Sequence, residues 1–214
     1  PYAASKAAAD HLVRSWHRTY GFPASVIHCA NTYGPYQFPE KLIPLVTTRA
    51  LRDEPLPIYG QGNQEREWLY IDDCAAGLLA ALEFGEPGNS YAIGSGEARQ
   101  NLEVVRDICH TLNDLNPTSR ESPYEDLISH VADRPGHDQR YALDSKSTQV
   151  ALSWQPRTEF NEGLRTTVAS FVDNRDWWQS ILTERYARGR LGLGRNMVTQ
   201  EKIQDSASSG SFAS

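Results

Sequence analysis

Residues 7–35 decide the fold class, and they read AAADHLVRSWHRTYGFPASVIHCANTYGP. Apolar side chains recur at helical spacing through 12–20, and Gly21 is suited to ending that helix. The β-branched run at 25–30 predicts a strand, and residues 31–35 predict the loop that follows it. Because helical and strand-like segments continue to alternate along the chain, the sequence predicts an α/β protein.

The same patterns predict the remaining elements. Strands are expected around 56–59, 67–71, 90–93 and 130–132, and helices over 42–51, 72–84, 101–112 and 162–176. Asp72 or Asp73 is expected to cap one of these helices and Asn101 another, because short polar side chains accept hydrogen bonds from the first free backbone N–H groups. Residues 194–214 lack periodicity and end in a serine-rich run, which predicts a disordered tail.

Composition and charge exclude several functional classes. The 214 residues are 39% hydrophobic and 22% charged, which is typical of a globular protein rather than a disordered one. Lys and Arg total 21 against 27 Asp and Glu, and a net charge of −6 argues against a nucleic-acid partner. No apolar run approaches the roughly 20 residues of a membrane helix, so no membrane partner is expected.

The cysteines and histidines predict no disulfide and no metal site. Cys29, Cys74 and Cys109 form no CxxC pair, and no His stands at metal-ligand spacing. Reduced thiols of this kind are typical of a cytoplasmic protein. The chain begins with Pro1 and shows no signal-peptide pattern, and we interpret it as the later part of a longer protein.

Tyr2 and Lys6 are the first residues that suggest chemistry. They form a YxxxK pattern, and a separation of four places both side chains on one helical face. A free Tyr has a pKa of about 10, and a neighbouring ammonium favours the phenolate. The pair is therefore a candidate general acid/base for a sugar or alcohol hydroxyl. Two side chains on a solvated helix face would give the same spacing.

Further segments make the functional interpretation specific. Asn31 follows a predicted strand, at the sheet edge where open α/β folds bind ligands. The segments that carry a family resemblance are YAASK at 2–6, NTYGP at 31–35, FPEKLIP at 38–44, REWLYIDD at 66–73 and DRPGHD at 133–138. With them the sequence resembles the dTDP-glucose 4,6-dehydratases of the extended short-chain dehydrogenase/reductase superfamily, from residue 1 to about residue 193.

The resemblance implies a lyase that uses bound NAD and regenerates it in each turnover. Tyr2 would remove the proton from the glucose 4-hydroxyl, water would be lost across C5 and C6, and the product would be dTDP-4-keto-6-deoxyglucose. Lys6 would bind the nicotinamide ribose beside Tyr2. Asn31 would contact the substrate and Thr32, where the family usually has Asn, would lie near the cofactor.

The resemblance also implies a nucleotide-sugar site. Two phosphates require fixed cationic groups, and Arg66 and Arg134 are the candidates. Pro57, Ile58 and Tyr59 would hold the thymine. The other residues implied as substrate contacts are Lys41, Leu42, Asn101, Asp133, Pro135, Gly136, His137 and Tyr186.

The predicted organisation follows from the same resemblance. Residues 1–36 would end a Rossmann-like doubly wound NAD-binding domain, and 37–193 would form mainly a smaller α/β nucleotide-sugar region with some returning Rossmann elements. The 214 residues contain no glycine-rich strand–turn–helix motif for the NAD pyrophosphate, so we expect the chain alone to be inactive. The family implies a homodimer. A related nucleotide-sugar epimerase or decarboxylase and a non-catalytic nucleotide-sugar-binding module remain as alternatives.

Overall fold

The computed structural model describes residues 1–117 and 122–185, and it confirms the α/β class. The chain divides into two compact units, Pro1–Asn174 and Arg175–Ser214. Tyr186 and the predicted tail at 194–214 lie outside the described residues.

Helices and strands alternate through the first unit. The helices are Tyr2–Tyr20 (α1), Leu42–Ala50 (α2), Ile71–Phe84 (α3), Asn101–Leu115 (α4), Lys146–Ala151 (α5) and Phe160–Asp173 (α6), with a 3₁₀ turn at Tyr124–Leu127. The strands are Val26–Cys29 (β1), Asn31–Tyr33 (β2), Leu56–Tyr59 (β3), Glu65–Tyr70 (β4), Ser90–Ile93 (β5), Ala98–Gln100 (β6), Ile128–Val131 (β7) and Arg140–Tyr141 (β8). The second unit contains the helix Arg175–Ser180 (α7) and the π-helix Ile181–Arg185.

Strand pairing in the described residues gives three sheets. The parallel pairs β1–β5 and β3–β7 are separate from a larger sheet in which β4 pairs with β2, β6 and β8. The prediction of a loop at 31–35 is wrong at its start, because Asn31 and its two successors pair in parallel with Trp68–Tyr70. This short polar run forms a strand because it pairs with a segment more than 30 residues away, which local sequence patterns do not reveal.

Two hydrophobic cores hold the first unit together. One packs α2, α4 and α6 against β3 and β4, and its buried residues include Ile43, Val46, Leu56, Ile58, Trp68, Val105, Ile108, Leu112, Leu164 and Val168. The other joins β5 to α3 and the segment after α5 through Leu69, Cys74, Ala81, Tyr91, Ile93, Leu152 and Trp154. No helix in the described residues is long and apolar enough to cross a membrane.

Three local predictions need correction. Neither Asp72 nor Asp73 caps α3, because the helix begins at Ile71 with Tyr70 as its cap residue. The two Asp73 carboxylate oxygens instead accept hydrogen bonds from the backbone N–H groups of Arg157 and Thr158, at 3.0 and 2.9 Å. Asn101 is the first residue of α4, and Gln100 is the cap, with its backbone N–H donated to Glu103 at 3.0 Å. The predicted helix over 162–176 spans two elements, since α6 ends at Asp173 and α7 begins at Arg175.

Candidate active site

An open cleft of about 590 Å³ in the first unit brings together most of the predicted substrate residues. Eleven of the residues named from the sequence line it: Asn31, Thr32, Lys41, Leu42, Pro57, Ile58, Tyr59, Arg66, Asn101, Arg134 and His137. These residues come from segments more than 100 positions apart, so the fold assembles a site that no single motif contains.

The sheet around β4 and the separate β3–β7 pair both contribute residues to the cleft. Asn31 on β2 lies directly across from Trp68 on β4, and Arg66 is two residues before Trp68. Because side chains two apart on a strand share a face, Arg66 and Trp68 both line the cleft. Residues 57–59 reach the cleft from β3, which pairs with β7 rather than with β4. The cleft therefore has a β2–β4 side and a β3 side.

Arg66 is held by backbone carbonyl groups. Its guanidinium donates hydrogen bonds to the carbonyl oxygens of Glu65 at 2.6 Å and Asp138 at 2.8 Å. Partial burial lowers the pKa of Arg66 and the nearby Asp138 carboxylate opposes that shift, but a guanidinium is so weakly acidic that the side chain stays charged. The planar guanidinium group of Arg66 is thus held in place and remains charged, as binding of an anion requires.

A second cationic group lies beside the ring of Tyr59. The Arg134 guanidinium carbon is 5.7 Å from the centre of that ring, within the range of a cation–π contact. The His137 ring packs edge-on against the same ring, with centroids 6.2 Å apart. Aromatic and cationic groups therefore meet at one end of the cleft, an arrangement suited to a base next to a phosphate.

Asp133 organises the loop that carries these groups. One carboxylate oxygen accepts hydrogen bonds from His137 Nδ1 at 2.7 Å and from the Arg134 backbone N–H at 2.8 Å. The other accepts from the buried amide of Gln64 at 2.8 Å. The hydrogen bond from His137 is the main cause that lowers the pKa of the Asp133 carboxyl. The His137 side chain is only 4% exposed, so this network fixes its ring.

The remaining predicted residues lie apart from the lining of the cleft. Tyr2 and Lys6 occupy the first turns of α1, where Tyr2 is 78% exposed and no residue of the helix is buried in this chain. Asp133, Pro135 and Gly136 belong to the loop that carries Arg134 and His137 but do not line the cleft themselves. Their roles and that of Tyr186 remain predictions.

Five further residues that were not predicted as site residues also line the cleft: Ala30, Gln37, Glu40, Leu45 and Trp68. Trp68 follows Arg66 by two residues on a strand, and this alternation is a signal that could have identified it. Gln37 lies between two motif segments, and its amide donates a hydrogen bond to the Thr32 carbonyl at 2.8 Å, a contact that spacing does not predict. Within the described residues, no group of three or more His, Cys, Asp or Glu side chains could hold a metal ion.

Comparison with known proteins gives a consistent family. A family model described as GDP-mannose 4,6 dehydratase matches residues 1–167. The dTDP-glucose 4,6-dehydratase of Neisseria meningitidis serogroup B is 50% identical over 200 residues, which are 91% of this chain and 56% of that protein. The chain thus spans about half the length of the curated relatives that it matches.

Solved structures agree with this assignment. DesIV, a dTDP-glucose 4,6-dehydratase from Streptomyces venezuelae crystallised with NAD and TYD bound, is 41% identical, with a TM-score of 0.76 over 85% of this chain and 53% of that one. A UDP-glucuronic acid 4-epimerase from Bacillus cereus, in complex with UDP-glucuronic acid and NAD, is 27% identical, with a TM-score of 0.70 over 81% of this chain and 52% of that one. The chain therefore belongs to the family that the GDP-mannose 4,6 dehydratase model describes, and the resemblance of its motifs to dTDP-glucose 4,6-dehydratases is confirmed.

Proposed function

We propose that this chain supplies the nucleotide-sugar site and the proton-transfer residue for NAD-dependent dehydration of dTDP-glucose to dTDP-4-keto-6-deoxyglucose, in a cytoplasmic enzyme that acts as a homodimer. The observation that carries the proposal is the cleft, because it combines aromatic, cationic and amide groups from six separate segments. The sequence relatives named as dTDP-glucose 4,6-dehydratases support the choice of reaction.

The β3 side of the cleft, together with Arg66 of β4, would bind the nucleotide. Tyr59 offers an aromatic face for the thymine, and Arg134 lies beside that face. Arg66 is held by two carbonyl groups from β4 and the 133–138 loop, so two guanidinium groups are available for two phosphates. Charge-assisted hydrogen bonds of this kind are stronger than neutral ones and give the ligand a fixed orientation.

The β2 side would hold the sugar and the cofactor. A bound NAD would supply reversible hydride acceptance, and Lys6 and Thr32 are the residues of this chain suited to contact it. The Thr32 hydroxyl can donate or accept a hydrogen bond at the cleft edge, which fits a polar cofactor group. Tyr2 takes the proton from the sugar 4-hydroxyl, and Lys6 stands one helical turn away from it on α1.

The experiment that tests this function compares Tyr2→Phe with Tyr20→Phe. Both tyrosines lie on α1 and both are exposed in this chain, so the second variant is a matched control. In the enzyme that contains this chain, Tyr2→Phe should retain dTDP-glucose binding and lose on the order of 10²–10⁴ in turnover. Tyr20→Phe should leave turnover unchanged.

The product identifies the reaction class. Formation of a 4-keto-6-deoxy sugar from dTDP-glucose and NAD supports dehydration. An epimerised sugar without elimination would instead support the related epimerase function, which the 27% identity to the Bacillus cereus enzyme keeps as the second candidate. Near-normal turnover by Tyr2→Phe would exclude Tyr2 as the base.

A further inference from the structure

Three buried polar atoms in the lining residues of the cleft have no hydrogen-bond partner among the described residues. They are Gln37 Oε1, Trp68 Nε1 and Asn101 Oδ1. Leaving a buried donor or acceptor unpaired costs about 1–3 kcal/mol, so such groups in a binding cleft are typical of ligand contacts. Asn101 is already a predicted nucleotide contact, whereas Gln37 and Trp68 are new.

The Gln37 amide has a fixed orientation. Its Nε2 donates to the Thr32 carbonyl oxygen at 2.8 Å, so Oε1 is the atom left to accept a hydrogen bond. An acceptor of this kind requires an O–H or N–H donor from the ligand. The anchoring of Gln37 to Thr32 also places it next to Asn31, the predicted substrate residue at the start of β2.

Trp68 lies on the same side of the cleft. It is directly across from Asn31 in the β2–β4 register, and it is 7% exposed. Its indole nitrogen can only donate. Tyr59, the aromatic residue proposed to hold the base, belongs to β3 and a different sheet, so the Gln37 acceptor and the Trp68 donor are grouped with Asn31 rather than with Tyr59. An acceptor grouped with a donor complements hydroxyl groups, each of which can donate and accept.

We propose that Gln37 is a specificity-determining residue whose Oε1 accepts a hydrogen bond from a hydroxyl of the substrate hexose, with the Trp68 indole N–H donating to an oxygen of the same sugar. This inference rests on the proposed function and adds the residues that recognise the sugar. Selectivity for a hydroxyl-bearing hexose arises because a ligand that lacks the hydroxyl leaves a buried acceptor unpaired.

The test separates recognition of the sugar from recognition of the nucleotide. The wild-type protein, Gln37→Leu and the control Gln155→Leu are each titrated calorimetrically with dTDP and with dTDP-glucose, with no NAD added. Gln155 is an exposed residue of a different surface depression, and its variant should bind both ligands normally. Gln37→Leu should lose about fivefold to tenfold in affinity for dTDP-glucose, the range of one hydrogen bond, and less than about twofold for dTDP.

A ligand series makes the result independent of any folding defect in the variant. In the wild-type protein, one member of a set of dTDP-deoxyglucoses should bind about fivefold to tenfold more weakly than dTDP-glucose, and the same deletion should cost Gln37→Leu nothing further. Two results would overturn this inference alone. One is that the wild-type protein binds every deoxy ligand as tightly as dTDP-glucose. The other is that a folded Gln37→Leu loses affinity for dTDP and for dTDP-glucose by the same factor. Failure of the wild-type protein to bind dTDP would overturn the proposed function.

Discussion

At the scale of single residues, the three thiols differ because of what surrounds each one. Cys29 is half-buried at the end of β1 and packs against the second core, to which Cys74 of α3 belongs. A hydrogen bond from Cys74 lowers the pKa of Cys29 to about 7, and the same pairing raises the pKa of Cys74. Burial raises the pKa of Cys109 to about 12. Cys29 is therefore the thiol expected to form a thiolate near neutral pH.

This difference predicts selective alkylation. The thiolate is the nucleophile, so the rate of Cys29 modification by iodoacetamide should rise through pH 7 and level off about one pH unit above it. Cys109 should remain unmodified in the folded protein. Peptide mapping by mass spectrometry measures both rates, and Cys74→Ala should shift the Cys29 profile to higher pH. Equal rates at Cys29 and Cys109, or a Cys29 rate independent of pH between 6 and 8, would contradict this account.

At the scale of elements, β4 connects the cleft to the rest of the first unit. Arg66 and Trp68 line the cleft, while the side chain of Glu67 between them is fully buried. The Glu67 carboxylate accepts hydrogen bonds from the backbone N–H groups of Gly96 at 2.7 Å and Leu143 at 2.6 Å. One buried carboxylate thus links two loops to the strand that presents the cleft residues.

Replacement of this carboxylate should destabilise the protein. In Glu67→Gln an amide NH₂ replaces one acceptor oxygen and faces a backbone N–H group, so the free energy of unfolding should fall by about 2–3 kcal/mol. Glu65→Gln is the matched control, because its carboxylate on the same strand is 38% exposed and pairs with Arg140 at 3.0 Å. Exposed pairs contribute about 0–1 kcal/mol. Urea unfolding measures both variants, and an equal loss in the two would contradict the anchoring role of Glu67.

At the scale of the whole molecule, sequence patterns predict local structure better than long-range pairing. Strands at 56–59 and 90–93 have the predicted bounds, because turn residues mark their ends. The short strands β6 and β8 were not predicted, since both exist only by pairing with β4. Asp73 was misread as a helix cap because its partners, the backbone at 157–158, lie 84 and 85 residues away.

In the candidate site too, local sequence motifs predict the residues better than they predict the long-range contacts. Family motifs identified Arg66, Arg134 and His137, and the fold brings them to one cleft. Motifs do not reveal that Asp133 fixes the His137 ring or that Gln37 retains an unpaired acceptor, because both depend on the orientation of hydrogen bonds. Spacing along a chain carries no information on such orientation.

The most direct test of the central claim is a calorimetric titration of dTDP into the wild-type protein and into Arg66→Ala, Arg134→Ala and Arg140→Ala. Arg140 is a matched control because it is exposed, pairs with Glu65 and does not line the cleft. If the cleft binds the diphosphate, the wild-type protein binds dTDP, and the first two variants each lose about 1.5–3 kcal/mol of binding free energy while Arg140→Ala loses none. Absence of dTDP binding by the wild-type protein, or unchanged affinity in both cleft variants, would show that this cleft is not the nucleotide site.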